Sequence, residues 1–245
     1  MSEQVINIYQ VIKNRSKVFT SDGRSLALYP SCVQAIVDNI ASSSFRYRLF
    51  VYDFCSDDYP LLEWLPDLVK DKLELQIISS TSAFFDKSEG LNYSRNLFSS
   101  NDFIFYLDAD IVVTKAVIDR LEARHQAKHD VGIFAPTFLN EYGAGQKSVE
   151  STGTLWIRYP SLRKVPPWPT MRCWGGEDTV FLYHCLHQQL SVCRETDVLL
   201  YHQWHPHELR NKYYVGGFPP SNAYADAIRE YYKSGILPTI AEDNL

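Results

Sequence analysis

With 245 residues, 45% of them apolar and 14% aromatic, the chain can bury a sizeable core as one α/β domain and is too apolar to be disordered. A net charge of −5 and the lack of any long Lys/Arg run argue against a stable nucleic-acid-binding module. The five cysteines, Cys32, Cys55, Cys173, Cys185 and Cys193, are odd in number and have no C-x-x-C spacing, so they read as reduced thiols of a cytosolic protein. Residues 1–4 carry no signal-peptide pattern and no apolar run approaches the length of a membrane span. The expected location is therefore cytoplasmic, at most peripheral to a membrane.

A β-branched run over 5–12 predicts a first strand. Leu28, Cys32, Ala35, Ile36 and Ile40 recur at helical spacing and predict an amphipathic helix over 26–41. A second strand over 45–52 ends in Asp53, a short helix covers 60–69, and a third strand spans 73–78. A helix over 89–99 then leads into Phe103-Ile104-Phe105-Tyr106-Leu107. Consecutive apolar and aromatic residues of this kind suit a strand buried on both faces, as in the middle of a parallel sheet. Further on, the pattern predicts a helix over 115–127 and a strand over 131–135. A Gly- and polar-rich loop follows over 140–151, placed to act as a mobile lid. A short strand over 154–158, a proline-rich connector over 160–169 and a turn running into a helix over 175–188 come next. Strand-like pieces at 190–194 and 198–202 and a last helix over 222–234 complete the series. The alternation of strands with helices up to residue 107 predicts a parallel sheet with right-handed crossovers, whose strands send their carboxyl ends toward one crevice. One domain is the economical reading.

The buried run ends in Asp108-Ala109-Asp110. Two residues apart, the carboxylates point the same way at a strand tip, where open α/β sheets bind ligands. They form a hard-oxygen half-site for Mg²⁺ or Mn²⁺, an ion that commonly holds a phosphate too; a solvated turn or a helix cap is the plainer alternative. In Trp174-Gly175-Gly176-Glu177-Asp178, the glycines permit positive φ and close approach of a ligand. The two acids would then fall in the first turn of a helix, where its dipole favours negative charge with or without a function. A tryptophan, two glycines and two acids together also suit a sugar, with a carboxylate available as general base. In Tyr201-His202-Gln203-Trp204-His205-Pro206-His207, one imidazole could complete a metal site begun by Asp110. A separate zinc site is conceivable, but the spacing fits no familiar pattern. His205 and His207 read as exposed loop histidines without a role.

The order of these motifs resembles the GT-A-fold glycosyltransferases, closest in pattern to inverting enzymes of the family 2 type. The C-terminal half is similar to the β-1,4-galactosyltransferase and chondroitin polymerase groups. The resemblance runs from about residue 5 to 207. Lys13-Asn14-Arg15 resembles the family's Asn-Arg turn, without its usual proline. Val51-Tyr52-Asp53-Phe54-Cys55-Ser56 resembles its nucleotide-binding loop but carries one of the two usual acids. Ser94-Arg95-Asn96 resembles the segment beside the donor, Asp108-Ala109-Asp110 the D-x-D, and Trp174 to Asp178 the acceptor-site motif. Tyr201-His202-Gln203 is similar to the segment that supplies a metal-binding histidine.

The resemblance implies a GT-A, Rossmann-like, mainly parallel sheet flanked by helices in a single domain. A nucleotide-sugar half would span about 1–113, an acceptor half about 114–207, and a small C-terminal extension 208–245. It implies that Asp53, Arg95, Asp108 and Asp110 bind the donor, a nucleoside diphosphate sugar and foremost a UDP-sugar. Asp110 and His202 would hold Mn²⁺ or Mg²⁺. Trp174, Gly176 and Glu177 would hold a carbohydrate or other hydroxyl acceptor, and Asp178 would be the catalytic base of an inverting transfer. Two rivals use the same residues. One is a haloacid dehalogenase-type phosphatase, since Leu107-Asp108-Ala109-Asp110-Ile111-Val112 also fits that nucleophile motif; there, however, the motif normally closes the first strand. The other is a non-catalytic nucleotide-sugar or carbohydrate binder on the same scaffold.

Overall fold

The structure is a computed structural model that describes residues 4–82, 84–127, 129–170, 175–206 and 221–240. In chain order its strands and helices are β1 (Val5–Ile12), β2 (Val18–Phe19), β3 (Ser25–Leu26), α1 (Leu28–Ile40), β4 (Arg46–Asp53), α2 (Leu65–Val69), β5 (Glu74–Ser79), α3 (Lys87–Tyr93), β6 (Phe103–Tyr106) and β7 (Ile111–Val113). They continue as α4 (Lys115–Gln126), β8 (Val131–Phe134), β9 (Thr137–Leu139), β10 (Gly145–Lys147), β11 (Leu155–Arg158), α5 (Tyr159–Leu162), α6 (Glu177–His187), β12 (Val192–Glu195), β13 (Leu200–His202) and α7 (Ser221–Ser234).

Seven strands form the central sheet in the order β12-β8-β11-β6-β1-β4-β5. β6 lies in its middle, and all four of its residues are buried. Phe103 and Phe105 face a core built with α1, α2 and α4. Ile104 and Tyr106 face a second core built with α6 and α7. The period of two thus serves two apolar layers at once, which is why the run is continuous rather than alternating.

The sheet is mainly parallel, as β1/β4, β1/β6, β4/β5 and β8/β12 pair in that sense, but β11 runs antiparallel to both β6 and β8. The alternating strands β1, β4, β5 and β6 point one way, as expected, and the antiparallel strand is β11. No helical crossover precedes it; the chain reaches it from the β9–β10 hairpin. β11 carries Trp156, which is fully buried and stacks on Phe103 at 5.1 Å. Gly132 on β8 makes room for that indole, since a Cβ there would lie 2.1 Å from Trp156 Nε1. Gly132→Ala is expected to destabilise the fold by about 1–3 kcal/mol through overpacking, read as a lower chemical-denaturation midpoint at unchanged slope.

A second sheet, in the order β10-β9-β13-β7, was not expected from the sequence. β13 pairs antiparallel with β7 and parallel with β9, placing His202 opposite Ile111 and Phe138. The segment expected to be a lid is therefore partly regular: β10 pairs with β9 around a turn. At the far edge, buried Glu195 on β12 receives Arg124 Nε at 2.5 Å and the Arg120 guanidinium, so α4 is tied to the edge strand through a paired charge. Helix α7 packs on α6, with Tyr224 and Tyr183 rings 5.1 Å apart. Cys32, Cys55, Cys185 and Cys193 are free thiols; Cys173 lies outside the described residues. Among the described residues, no helix is long and apolar enough to cross a membrane.

Candidate active site

At the end of β6 the chain leaves the central sheet. Leu107 N–H donates to Tyr9 C=O, Ile111 N–H donates to Asp108 C=O, and β7 begins in the second sheet. Asp108 and Asp110 therefore stand where the chain passes between sheets, on the wall of a cleft of about 650 Å³. Glu177, Asp178, His202 and His205 line the same cleft. Three stretches far apart in sequence converge here.

The first cluster surrounds Asp110. His202 Nε2 lies 3.6 Å from its Oδ1 and His205 Nε2 lies 3.3 Å from its Oδ2. The ligand atoms of Asp110, His202 and His205 all fall within 4.8 Å of one another. Pairing of β13 with β7 delivers His202, and a bond from Gln203 N–H to Asp110 C=O, 2.9 Å, ties the next turn down so that His205 follows. His205, read from sequence as an exposed loop residue, is buried, and its place beside Asp110 corrects that reading. His207 lies outside the described residues. The Phe138 ring stacks on His202 at 4.6 Å and limits its rotation. Burial alone would raise the Asp110 carboxyl. The imidazoles of His202 and His205, with the Arg15 guanidinium, outweigh burial and hold it below its ordinary value. Asp110 Oδ1 is buried and has no hydrogen-bond partner among the described residues. An orphaned carboxylate oxygen between two imidazoles fits a divalent cation. This mixed donor set suits Mn²⁺ and its neighbours better than Mg²⁺, which prefers oxygen alone.

The second cluster is a lysine among carboxylates. Lys87 Nζ lies 2.9 Å from Asp108 Oδ1, 3.1 Å from Glu177 Oε1 and 3.1 Å from Asp178 Oδ2. The acids arrive because Gly175 and Gly176 take φ of +83° and +96°, so the chain turns sharply and Gly176 caps α6 with Glu177 and Asp178 in its first turn. One ammonium serves three acids. Burial opposes the charge on Lys87, but Asp108, Asp178 and Glu177 together hold its pKa well above the usual lysine value. Burial and the carboxylates of Glu177 and Asp108 push Asp178 up to about 7 despite Lys87. Burial likewise raises Asp108 against the pull of Lys87. Sequence reasoning missed Lys87, although a signal was present. It opens α3, where Asp86 caps the helix by accepting from Ser88 N–H. A cation at a helix N-terminus opposes the dipole, so it implies a carboxylate partner from elsewhere.

Gly153 lies against the second cluster. A Cβ there would meet Asp108 Oδ2 at 2.9 Å and Asp178 Oδ2 at 3.2 Å. Gly153→Ala is expected to displace both carboxylates and lower any turnover at this site on the order of a hundredfold with little change in melting temperature, measured by steady-state kinetics beside a thermal melt.

The structure does not bring two of the expected donor residues to this cleft. Asp53 Oδ1 accepts from the N–H and Oγ of Ser56 at 3.0 and 2.6 Å and shapes the turn after β4. The Arg95 guanidinium donates to the carbonyls of Val165 and Pro166, holding the connector between α5 and α6. Both side chains are engaged in structural hydrogen bonds, Asp53 within its own turn and Arg95 to the carbonyls of a distant connector. Lys13 and Arg15, from the turn after β1, do line the cleft. Trp174 lies outside the described residues, while Gly175, its neighbour, lines the cleft.

A mainly parallel sheet with one antiparallel strand beside its middle strand, helices on both faces, and a small second sheet that the chain enters just after the acidic pair together make the GT-A glycosyltransferase fold. Among solved structures, S. aureus TarS 1–349 in complex with UDP-GlcNAc is similar at TM-score 0.61 and 14% identity, covering 98% of this chain and 68% of that one. The catalytic domain of Drosophila β1,4-galactosyltransferase 7 with xylobiose is similar at TM-score 0.56 and 13% identity, covering 91% and 79%. Glucosyl-3-phosphoglycerate synthase from Mycobacterium tuberculosis, in complex with Mn²⁺, UDP and glucosyl-3-phosphoglycerate, gives TM-score 0.55 and 12% identity, covering 96% and 81%. The chain spans 60% of a further TarS 1–349 chain and 38% of a TarS chain. No protein-family model and no curated protein matches the sequence.

Proposed function

We propose that this protein is a metal-dependent glycosyltransferase that moves a sugar from a nucleoside diphosphate sugar, foremost a UDP-sugar, to a hydroxyl acceptor with inversion. The observation that carries the reading is the convergence of Asp110, His202 and His205 on one side of a cleft with Asp178, Glu177 and Lys87 on the other. The fold supports a transferase over the phosphatase alternative, and the complexes of the M. tuberculosis synthase with Mn²⁺ or Mg²⁺ and UDP support the choice of donor and ion.

Asp110, His202 and His205 would hold the divalent ion, which when bound supplies Lewis-acid neutralisation of the diphosphate leaving group. Asp178, with a pKa near neutrality, takes the proton of the attacking hydroxyl. Glu177, buried and held by Lys87, fixes the acceptor side, and Gly175 leaves that approach open. Lys87 keeps three acids in register and offsets part of their mutual repulsion. Asp108, held by Lys87, would face the transferred sugar.

The test is a thermal-shift panel of nucleotide sugars with and without Mn²⁺, followed by donor turnover with a range of hydroxyl acceptors. A donor present at about a hundred times its Kd should stabilise the fold by about 2.7 kcal/mol, and only when Mn²⁺ is present. Metal-independent shifts across the panel, or release of phosphate from a simple aryl phosphate abolished by Asp108→Asn, would overturn the reading. Donor binding without hydrolysis or transfer would favour the non-catalytic binder.

A further inference from the structure

A second cavity, of about 480 Å³, adjoins the catalytic cleft. Glu150, Thr152 and Thr179 line both, and Thr179 directly follows Asp178. Its outer wall is α7, expected from sequence as a last helix within a C-terminal extension. The two cavities differ sharply in charge. Lys13, Arg15 and Lys87 in the catalytic cleft face seven carboxylates. In the second cavity, Arg194, Arg229 and Lys233 face the single carboxylate of Glu150. We propose that this second pocket receives an acidic group, a phosphate or a carboxylate, carried by the acceptor at some distance from its attacking hydroxyl. The proposal rests on the transferase reading above and names the acceptor class.

The cations are held in different ways. Arg194 Nη1 donates to the carbonyls of Val149 and Ser151 at 2.8 and 3.1 Å, and its guanidinium lies over the Tyr232 ring at 5.5 Å. Its plane is therefore set before any ligand arrives, and a guanidinium carries further N–H donors suited to the paired oxygens of an acid. Arg229 is paired with Glu150 and Asp226, which anchors α7 to the loop between the cavities. Lys233 is exposed at the mouth of the pocket. Tyr232 is 49% exposed and offers a flat apolar face beside the cations, suited to a sugar ring. An acidic group placed in the catalytic cleft would meet Asp108, Glu177 and Asp178. The basic pocket holds it away from them while Thr152 and Thr179 line the path to Asp178.

The experiment is calorimetric titration of the full chain, in chelator and without donor, with glucose 6-phosphate, glucuronate and glucose. It is run on the wild type and on Lys233→Glu, an exposed position whose variant is checked by its melting curve. At least one acidic probe should bind about tenfold or more tightly than glucose, and the preference should weaken with added salt, as an interaction at an open pocket must. The phosphate and carboxylate arms identify which acid the pocket takes. Lys233→Glu should remove most of that preference while leaving donor hydrolysis unchanged. Equal binding of all three probes, no binding, or a preference untouched by Lys233→Glu overturns the proposal. Loss of the transferase reading has a different signature, the absence of donor hydrolysis and transfer, and leaves the calorimetric result standing.

Discussion

Asp178→Asn is expected to bind donor as the wild type does and to lose transfer by about 10²–10⁴-fold, the usual contribution of a positioned general base. The substitution keeps the shape of the side chain and removes its charge and its capacity to take a proton. Wild-type pH dependence should agree. With Asp178 titrating at about 7, the base is ionised above that pH, and transfer falls as the pH drops through it. The effect on stability runs the opposite way. A carboxyl whose folded pKa lies above its unfolded value binds its proton more tightly in the native state. It therefore costs stability once it ionises, and that cost grows as pH rises from about 4 through about 7. Asp178→Asn should consequently melt above the wild type at about pH 8, and the gap should close on acidification through that window. Near-normal transfer by the variant would remove Asp178 from the mechanism, while a variant less stable than wild type in alkali would remove the electrostatic account of it.

Asp110→Ala is expected to abolish the Mn²⁺-dependent response to UDP altogether, because it removes the one carboxylate between His202 and His205. A wild-type stabilisation of about 2.7 kcal/mol at a hundred times Kd corresponds to a rise of roughly 5–10 °C in melting temperature for a chain of this size, and the variant should show none. His205→Ala is the discriminating companion. If both imidazoles are ligands, it should weaken Mn²⁺ binding as severely as His202→Ala, measured by direct metal titration without donor. Unchanged affinity in His205→Ala would return the site to two protein ligands. Phe138→Leu, which loosens the ring stacked on His202, should weaken the metal on the order of tenfold, since groups that orient a ligand tune its affinity.

Most of the central sheet was legible in the residues themselves. Local signals sufficed for β1, α1, β4 and the all-buried β6, where apolar period, β-branching and a polar stop agree. The left-handed glycines before Glu177 and the acidic end of β6 were legible for the same reason, because backbone permission and charge are properties of a few neighbouring residues. The direction of β11 was not. A four-residue apolar strand has the same period whichever way it runs, so its antiparallel pairing with β6 and β8 shows only in the tertiary structure, where Trp156 packs on Phe103 and over Gly132. The second sheet was hidden because β7, β9, β10 and β13 are three residues each, too short for a period to register.

The same division holds at the site. Motif order singled out Asp108, Asp110, Glu177, Asp178 and a histidine near 202 as candidates, because each sits in a short cluster of residue types suited to a metal, a sugar or a proton. Tertiary structure alone decided how they are joined. Lys87 meets three acids separated from it by 21, 90 and 91 positions, His205 reaches Asp110 only because β13 pairs with β7, and Asp53 and Arg95 turn to backbone partners. A Coulombic partner is chosen by proximity in space. Sequence specifies that proximity through the packing of the two sheets, and no local pattern in the chain records it.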